Sequence, residues 1–236
     1  MAMKIKYLAF VAGLFVIQIP NVMSQHTVTG SEDIIDKLRL AGGVNGEAST
    51  MYSNIEGDPY LFKDFKQGKL VLISGGQYDI NLRYDLYANQ MHLKDKNEVY
   101  AIIHPEKIKS IEIDSFKIIY SKFAKPKGEK TLSEGGYFIV KTDGKCKLLV
   151  KKNVRIQDAE PEKPYRDPKP AKFTHTYDSY FLKLDDELAI KIKNEKDLFT
   201  VLKDHNQEIN KFIKLNKLNS KEADDLDRII SYYNGL

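Results

Sequence analysis

From Leu70 onward the chain alternates apolar and polar residues at a period of two. The runs LVLI (70–73), YDINLRYDLY (78–87), QMHL (90–93), EVYAII (98–103), SIEI (110–113) and FKIIYS (116–121) are rich in β-branched and aromatic side chains. Short turn-forming stretches separate them, among them Gly75-Gly76, Ala88-Asn89, Asp95-Lys96-Asn97, His104-Pro105-Glu106 and Asp114-Ser115. Such a pattern predicts strands joined by tight connections. GYFIVKTDGKCKLLVKKNVRI then predicts a hairpin around Asp143-Gly144, a pair suited to a type I′ turn. Connections this short hold no crossover helices, so the sheet is expected to be antiparallel.

The pattern changes after Gln157. DAEPEKPYRDPKPAK (158–172) carries four prolines among alternating charges and reads as an exposed extended linker. TYDSYFLKL and LAIKIK predict one more hairpin around Asp185-Asp186-Glu187, and the period then becomes helical. Asn194 is placed to cap EKDLFTVLKD, whose Leu198, Val201 and Leu202 share a face. QEINKFIKL brings Ile209, Phe212 and Ile213 together, with Leu215 as a weaker member of that face. Ser220 is placed to cap KEADDLDRIISYYN, with Ala223, Leu226, Ile230 and Tyr233 on one side. The acidic first turn of this last helix, including Asp224, Asp225 and Asp227, complements its dipole better than it builds a calcium site.

The fold expected is therefore α+β: an antiparallel β-meander, curled into a half-barrel or stacked as a sandwich, followed by a short helical C-terminal unit. The organisation expected is a signal peptide at 1–24 and an N-terminal leader at 25–57. An antiparallel β-domain at 58–157, the linker at 158–172, and a β-hairpin plus helical unit at 173–236 follow. Within the leader, Ser31, Glu32 and Asp33 ahead of Ile34, Ile35 and Leu38 suit a short helix, or the segment is an unstructured lead-in.

The signal peptide rests on the first residues. Lys4 and Lys6 precede an apolar run from Tyr7 to Ile19, Pro20 breaks it, and Val22 and Ser24 occupy the −3 and −1 positions of a cleavage site. The run is shorter than the ~20 residues that span a bilayer. Export to the periplasm or to the extracellular or cell-surface side is the expectation, with Gln25 first in the mature chain. Cys146 is the single cysteine, so no internal disulfide can form. Lysine and arginine total 37 against 33 acidic residues, a formal net charge of +4. That balance lacks the strongly basic footprint of a nucleic-acid binder.

Candidate chemistry is sparse. Along 78–87, Tyr78, Ile80, Leu82, Tyr84 and Leu86 fall on one strand face, and Asp79, Asn81, Arg83, Asp85 and Tyr87 on the other. As a binding platform, that second face offers Arg83 as an anion clamp, Asp85 beside it and Tyr87 as a stacking surface. As a plain solvated face, Arg83 and Asp85 make an exposed ion pair worth about 0–1 kcal/mol. The five histidines are scattered, with no HExxH, CxxC or calcium-loop pattern. No GxSxG or SxxK nucleophile motif occurs, and Cys146 between Lys145 and Lys147 reads as a half-buried strand residue. No catalytic residue, metal site or cofactor is assigned.

SNIEGDPYLFKDFKQGKLVLISGGQYDINLRYDLYANQMHL and the tail DLFTVLKDHNQEINKFIKLNKLNSKEADDLDRIISYYNGL carry a recognisable pair of patterns in that order, PYL…LxYDxY and, with Phe212 at its tyrosine position, YIKxNKL…YYN. In these motifs the chain resembles a broad group of uncharacterised signal-peptide-bearing exported proteins of Gram-negative bacteria. The resemblance implies export and architecture and brings no reaction. The leading expectation is an exported non-enzymatic binding or envelope-interaction protein, its partner another envelope protein or a small ligand. The alternatives are a carrier of a small apolar ligand within a curled sheet, and a hydrolase drawing on His92, His104, Asp85 or Glu98.

Overall fold

The computed structural model describes Ile34 and residues 52–125, 133–162 and 164–236. Ten strands form one open antiparallel sheet: β1 (Lys66–Leu72), β2 (Gln77–Asp85), β3 (Gln90–Asp95), β4 (Glu98–Ala101), β5 (Ile108–Ile113), β6 (Phe116–Ala124), β7 (Ser133–Thr142), β8 (Cys146–Gln157), β9 (Lys172–Leu184) and β10 (Ile190–Ile192). Helices α1 (Glu195–Val201), α2 (Asn206–Asn216) and α3 (Ala223–Tyr233) follow. The α+β class and the antiparallel sheet are as the alternation predicts. Of the leader, only Ile34 is described; it is helical and fully buried in the main core. The rest of the expected leader helix, the signal peptide and its cleavage site lie outside the described residues.

The strand order is β10-β9-β8-β7-β6-β5-β1-β2-β3-β4, so the meander breaks once. β5 pairs with the far side of β1 rather than with β4. The connection, residues 102–107, contains a 3₁₀ turn at Pro105–Lys107. Four strand spacings on a flat sheet amount to about 19 Å, nearly the full reach of six extended residues, and a 3₁₀ turn is far from extended. The sheet must curl for this link to close. Gly68 on β1 helps β5 approach, since a Cβ there would stand 2.7 Å from the Glu112 carbonyl oxygen.

The curl is visible in side chains. Tyr84 on β2 and Tyr137 on β7 are four strands apart in the sheet, yet their ring centroids are 5.3 Å apart. Asn89, at φ 52°, joins them: its Oδ1 accepts from the Tyr84 hydroxyl at 3.0 Å and its Nδ2 donates to the Gly135 carbonyl at 3.1 Å. The concave face holds Leu70, Leu82, Met91, Leu93, Ile111, Ile113 and Ile118, all fully buried.

β6–β10 bend the opposite way. Ala189, just before β10, bridges Phe123 on β6, with hydrogen bonds from Ala124 N–H to Ala189 and from Ala189 N–H to Lys122. Inside this second curl Phe123, Phe138 and Phe181 meet edge to face at 5.0–5.8 Å. On the reverse face of these strands, Cys146, Leu148, Leu182 and Ile192 pack against Leu198, Ile209, Ile213, Leu226 and Ile230 of the helices. Asn194 caps α1 as expected, accepting from the N–H groups of Lys196 and Asp197. Leu215 is largely exposed, and the buried face of α2 is Ile209 and Ile213 with Phe212 beside them.

Three local expectations change. α3 starts two residues later than Ser220 predicts: Glu222 is the N-cap residue and Ser220 is buried, while Asp225 accepts from the Asn219 N–H. The β7–β8 turn is not type I′, because only Gly144 of the Asp-Gly pair has positive φ. The segment expected as a linker, 158–172, is the tip of the β8–β9 hairpin. Glu160 and Lys169 pair across it at 2.9 Å in both directions, and the strands below pair from Gln157–Lys172 to Cys146–Leu184.

Candidate functional site

The polar face of β2 is solvated at Asp79 and Asn81 but covered at its Arg83–Asp85 end. Residues 52–65 form a strap that pairs at two places: Leu61 N–H with the Tyr84 carbonyl and Leu86 N–H with Pro59 at one end of β2, and Glu56 with Ala171 and Phe173 at the start of β9. Pro59 and Asp58 fix its course, the Asp58 carboxylate accepting the Tyr60 N–H. The strap lays three rings over the three nominated residues.

Arg83 is clamped between two of those rings. Its guanidinium carbon lies 3.8 Å from the centroid of Tyr60 and 4.3 Å from that of Phe65. Across the ladder it faces His92, which is 2 % exposed. Neither Arg83 Nε nor His92 Nδ1 has a hydrogen-bond partner among the described residues. Burial, helped by the Arg83 charge, lowers the His92 pKa to about 4, so the imidazole is neutral at pH 7.

Asp85 does not form the exposed ion pair that alternation predicts. It is 1 % exposed, and its carboxylate accepts from the Tyr52 hydroxyl at 3.0 Å and from the Ala88 N–H at 2.9 Å. Burial raises its pKa, opposed by these donors and by Arg83. The reason is the strap, whose coverage no period within β2 can encode. Tyr87 is half exposed and stands edge-on to Tyr52 at 6.1 Å and to Phe173 at 5.6 Å, closing a three-ring group with Asp85 beneath.

Arg83 and Asp85 on β2 and Tyr87 in the turn after it thus come together. Tyr52, Tyr60, Phe65, His92 and Phe173 complete the group and were not nominated as a set. For Tyr60 and Phe65 the signal is the aromatic density of PYLFKDF just ahead of β1; Tyr52, His92 and Phe173 have no comparable local signal. Of the residues considered for hydrolysis, Asp85 and His92 belong to this group, while His104 and Glu98 lie outside it. His104 is exposed and pairs with Glu106 at 2.9 Å, and Glu98 accepts from its neighbour Tyr100. Among the described residues no group of three or more histidine, cysteine or acidic side chains is placed to hold a metal ion. Cys146 is fully buried, and burial pushes its thiol up to about 12. Chemically, this face holds a neutral imidazole, a stacked guanidinium and a buried, hydrogen-bonded carboxyl.

A second feature faces outward. Along the β8–β9 arm the register shifts between Lys151 and Asn153, so that β9 carries one extra residue at Tyr177-Asp178. Asn153 braces this bulge, its Nδ2 donating to the Tyr177 carbonyl at 2.8 Å and to Ser179 Oγ at 3.1 Å. Lys152 pairs with Asp178 at 2.8 Å. The Tyr177 ring is left 96 % exposed, and Tyr165 at the arm's tip is fully exposed.

No protein-family model matches this chain, and no curated protein or solved structure matches it. Among the described residues no helix is long and apolar enough to cross a membrane.

Proposed function

We propose that this chain is an exported, non-enzymatic binding protein that docks a partner protein of the cell envelope on its β8–β9 arm. The observation that carries the reading is Tyr177, a large amphipathic ring held out to solvent on a bulge that Asn153 and the Lys152–Asp178 pair make rigid. Tyrosines are enriched at the energetic centres of interfaces, because they add contact area while freezing few torsions. A pre-set backbone lowers the cost of binding further. Tyr165 extends the same arm. The internal use of Arg83, Asp85 and His92 fits the non-enzymatic part of the reading, and the Lys4–Ser24 segment supports export.

The test is capture from an envelope extract by the tagged protein, run beside Tyr177→Ser and Tyr165→Ser forms with unchanged thermal melting. A partner retained by the parent and lost with Tyr177→Ser supports the reading. Equal capture by both forms, or none, overturns it. Cell fractionation tests export separately: a chain confined to the cytoplasm and still carrying residues 1–24 removes that part.

A further inference from the structure

At the mouth of the second curl lies an open groove of about 430 Å³. Its apolar floor is Phe123, Phe181 and Ile190, and its polar rim includes Lys151, Ser179 and Lys191. Two carboxylates also border it, and both are committed: Glu134 pairs with Lys125 at 3.3 Å, and Asp197 accepts the Lys193 N–H at 2.9 Å in the first turn of α1. Among the described residues Lys151 and Lys191 have no carboxylate at ion-pair distance. Lys151 is also withdrawn from water, with its ammonium 4.7 Å from the Phe123 ring centroid. Burial holds its pKa below the ordinary lysine value, a shift that Glu134 opposes and Lys191 reinforces.

Holding one half-buried ammonium near a second, on β8 and β10 with β9 between them and with no described carboxylate at ion-pair distance from either, is unfavourable. An anion between them removes that cost. Ser179 Oγ accepts from Asn153 and so keeps its own proton to donate. The rings below give an apolar body a place to lie. We infer that this groove is a binding site for a small organic anion with an apolar body, its oxyanion on Lys151 and Lys191 and its apolar part on Phe123 and Phe181. The groove shares Asn153 and Ser179 with the brace beneath Tyr177, but the assignment does not rest on the Tyr177 ring binding a partner.

The probe is anilinonaphthalene sulfonate, whose fluorescence rises on apolar surfaces and is read without interference in a chain that has no tryptophan. The expected result is saturable binding that weakens about tenfold in Lys191→Met and in Lys151→Met, each removing one charge-assisted contact. Binding should also fall as salt is raised, and decanoate should displace the probe. Lys191 is exposed on the edge strand, so Lys191→Met keeps the test valid if the more buried change perturbs folding. Unchanged affinity in Lys191→Met, equal affinity for the uncharged analogue phenylnaphthylamine, or no displacement by decanoate would each overturn the assignment.

Discussion

Asn234, just past the end of α3, brackets the backbone of Cys146. Its Oδ1 accepts the Cys146 N–H at 2.8 Å and its Nδ2 donates to the Cys146 carbonyl at 2.9 Å. A side-chain amide here does what a neighbouring strand would do, and it ties the last helix to the first residue of β8 across 88 positions of sequence. Asn234→Ala leaves both backbone groups without these partners and should cost about 1–3 kcal/mol. The check is a lower denaturant midpoint at unchanged slope. Gly144→Ala should act on the same contact, because its new methyl group meets the Asn234 amide.

Arg83 between Tyr60 and Phe65 makes a second prediction. Each stacked face contributes about 0.5–2 kcal/mol when the cation is desolvated. Arg83→Lys keeps the charge and loses the flat contact, so it should melt earlier than the parent. Arg83→Ala should be worse, since the long stem also packs there. If Arg83→Lys melts with the parent, the rings are not holding the guanidinium.

His92 sets a pH dependence with a definite sign. Its folded pKa, about 4, lies below the unfolded value of about 6.5. Between those values the unfolded chain binds more protons, so stability rises with pH and is lost as pH falls from about 6.5 toward 4. The slope from this one group is at most about 1.4 kcal/mol per pH unit. Asp85 works oppositely: its raised pKa makes stability fall as pH climbs from its unfolded value of 3.8 through the folded one. Comparing the parent with His92→Gln isolates the imidazole, and the variant should show a flatter stability profile over that window.

The Cys146 thiol should be silent. Full burial and a pKa pushed up to about 12 keep it protonated and out of reach. An aromatic disulfide reagent should leave it unlabelled in buffer and label it stoichiometrically in denaturant. Rapid labelling of the native protein would show that the α3–β8 contact opens readily.

The strands, the β9–β10 hairpin and the apolar faces of the helices were legible because each depends on periods of two or about 3.6 within a few residues. The closures were not. Alternation places Arg83 and Asp85 on a polar face and says nothing of what later covers it; the strap comes from residues with no period of their own. The step from β4 to β5 depends on the curl, which no single strand encodes. The 158–172 segment has linker composition, yet its Glu160–Lys169 pairing follows from strands that begin after it and before it. Ser220 is a good cap by type, and the Asn219–Asp225 contact moves the helix start past it.

β7 serves two interiors at once. Tyr137 and Ile139 point into the first curl, while Phe138 packs in the second with the half-buried Val140 beside it, so residues 137–139 are a party wall with no outdoor side. In an ordinary half-wet strand, a slip of one residue puts apolar groups in water. Here the slip would send tyrosine into the phenylalanine cluster and phenylalanine into the tyrosine cluster, spoiling two cores for one error. Along residues 137–139, therefore, tolerance to polar replacement should not alternate: each of the three is an indoor position.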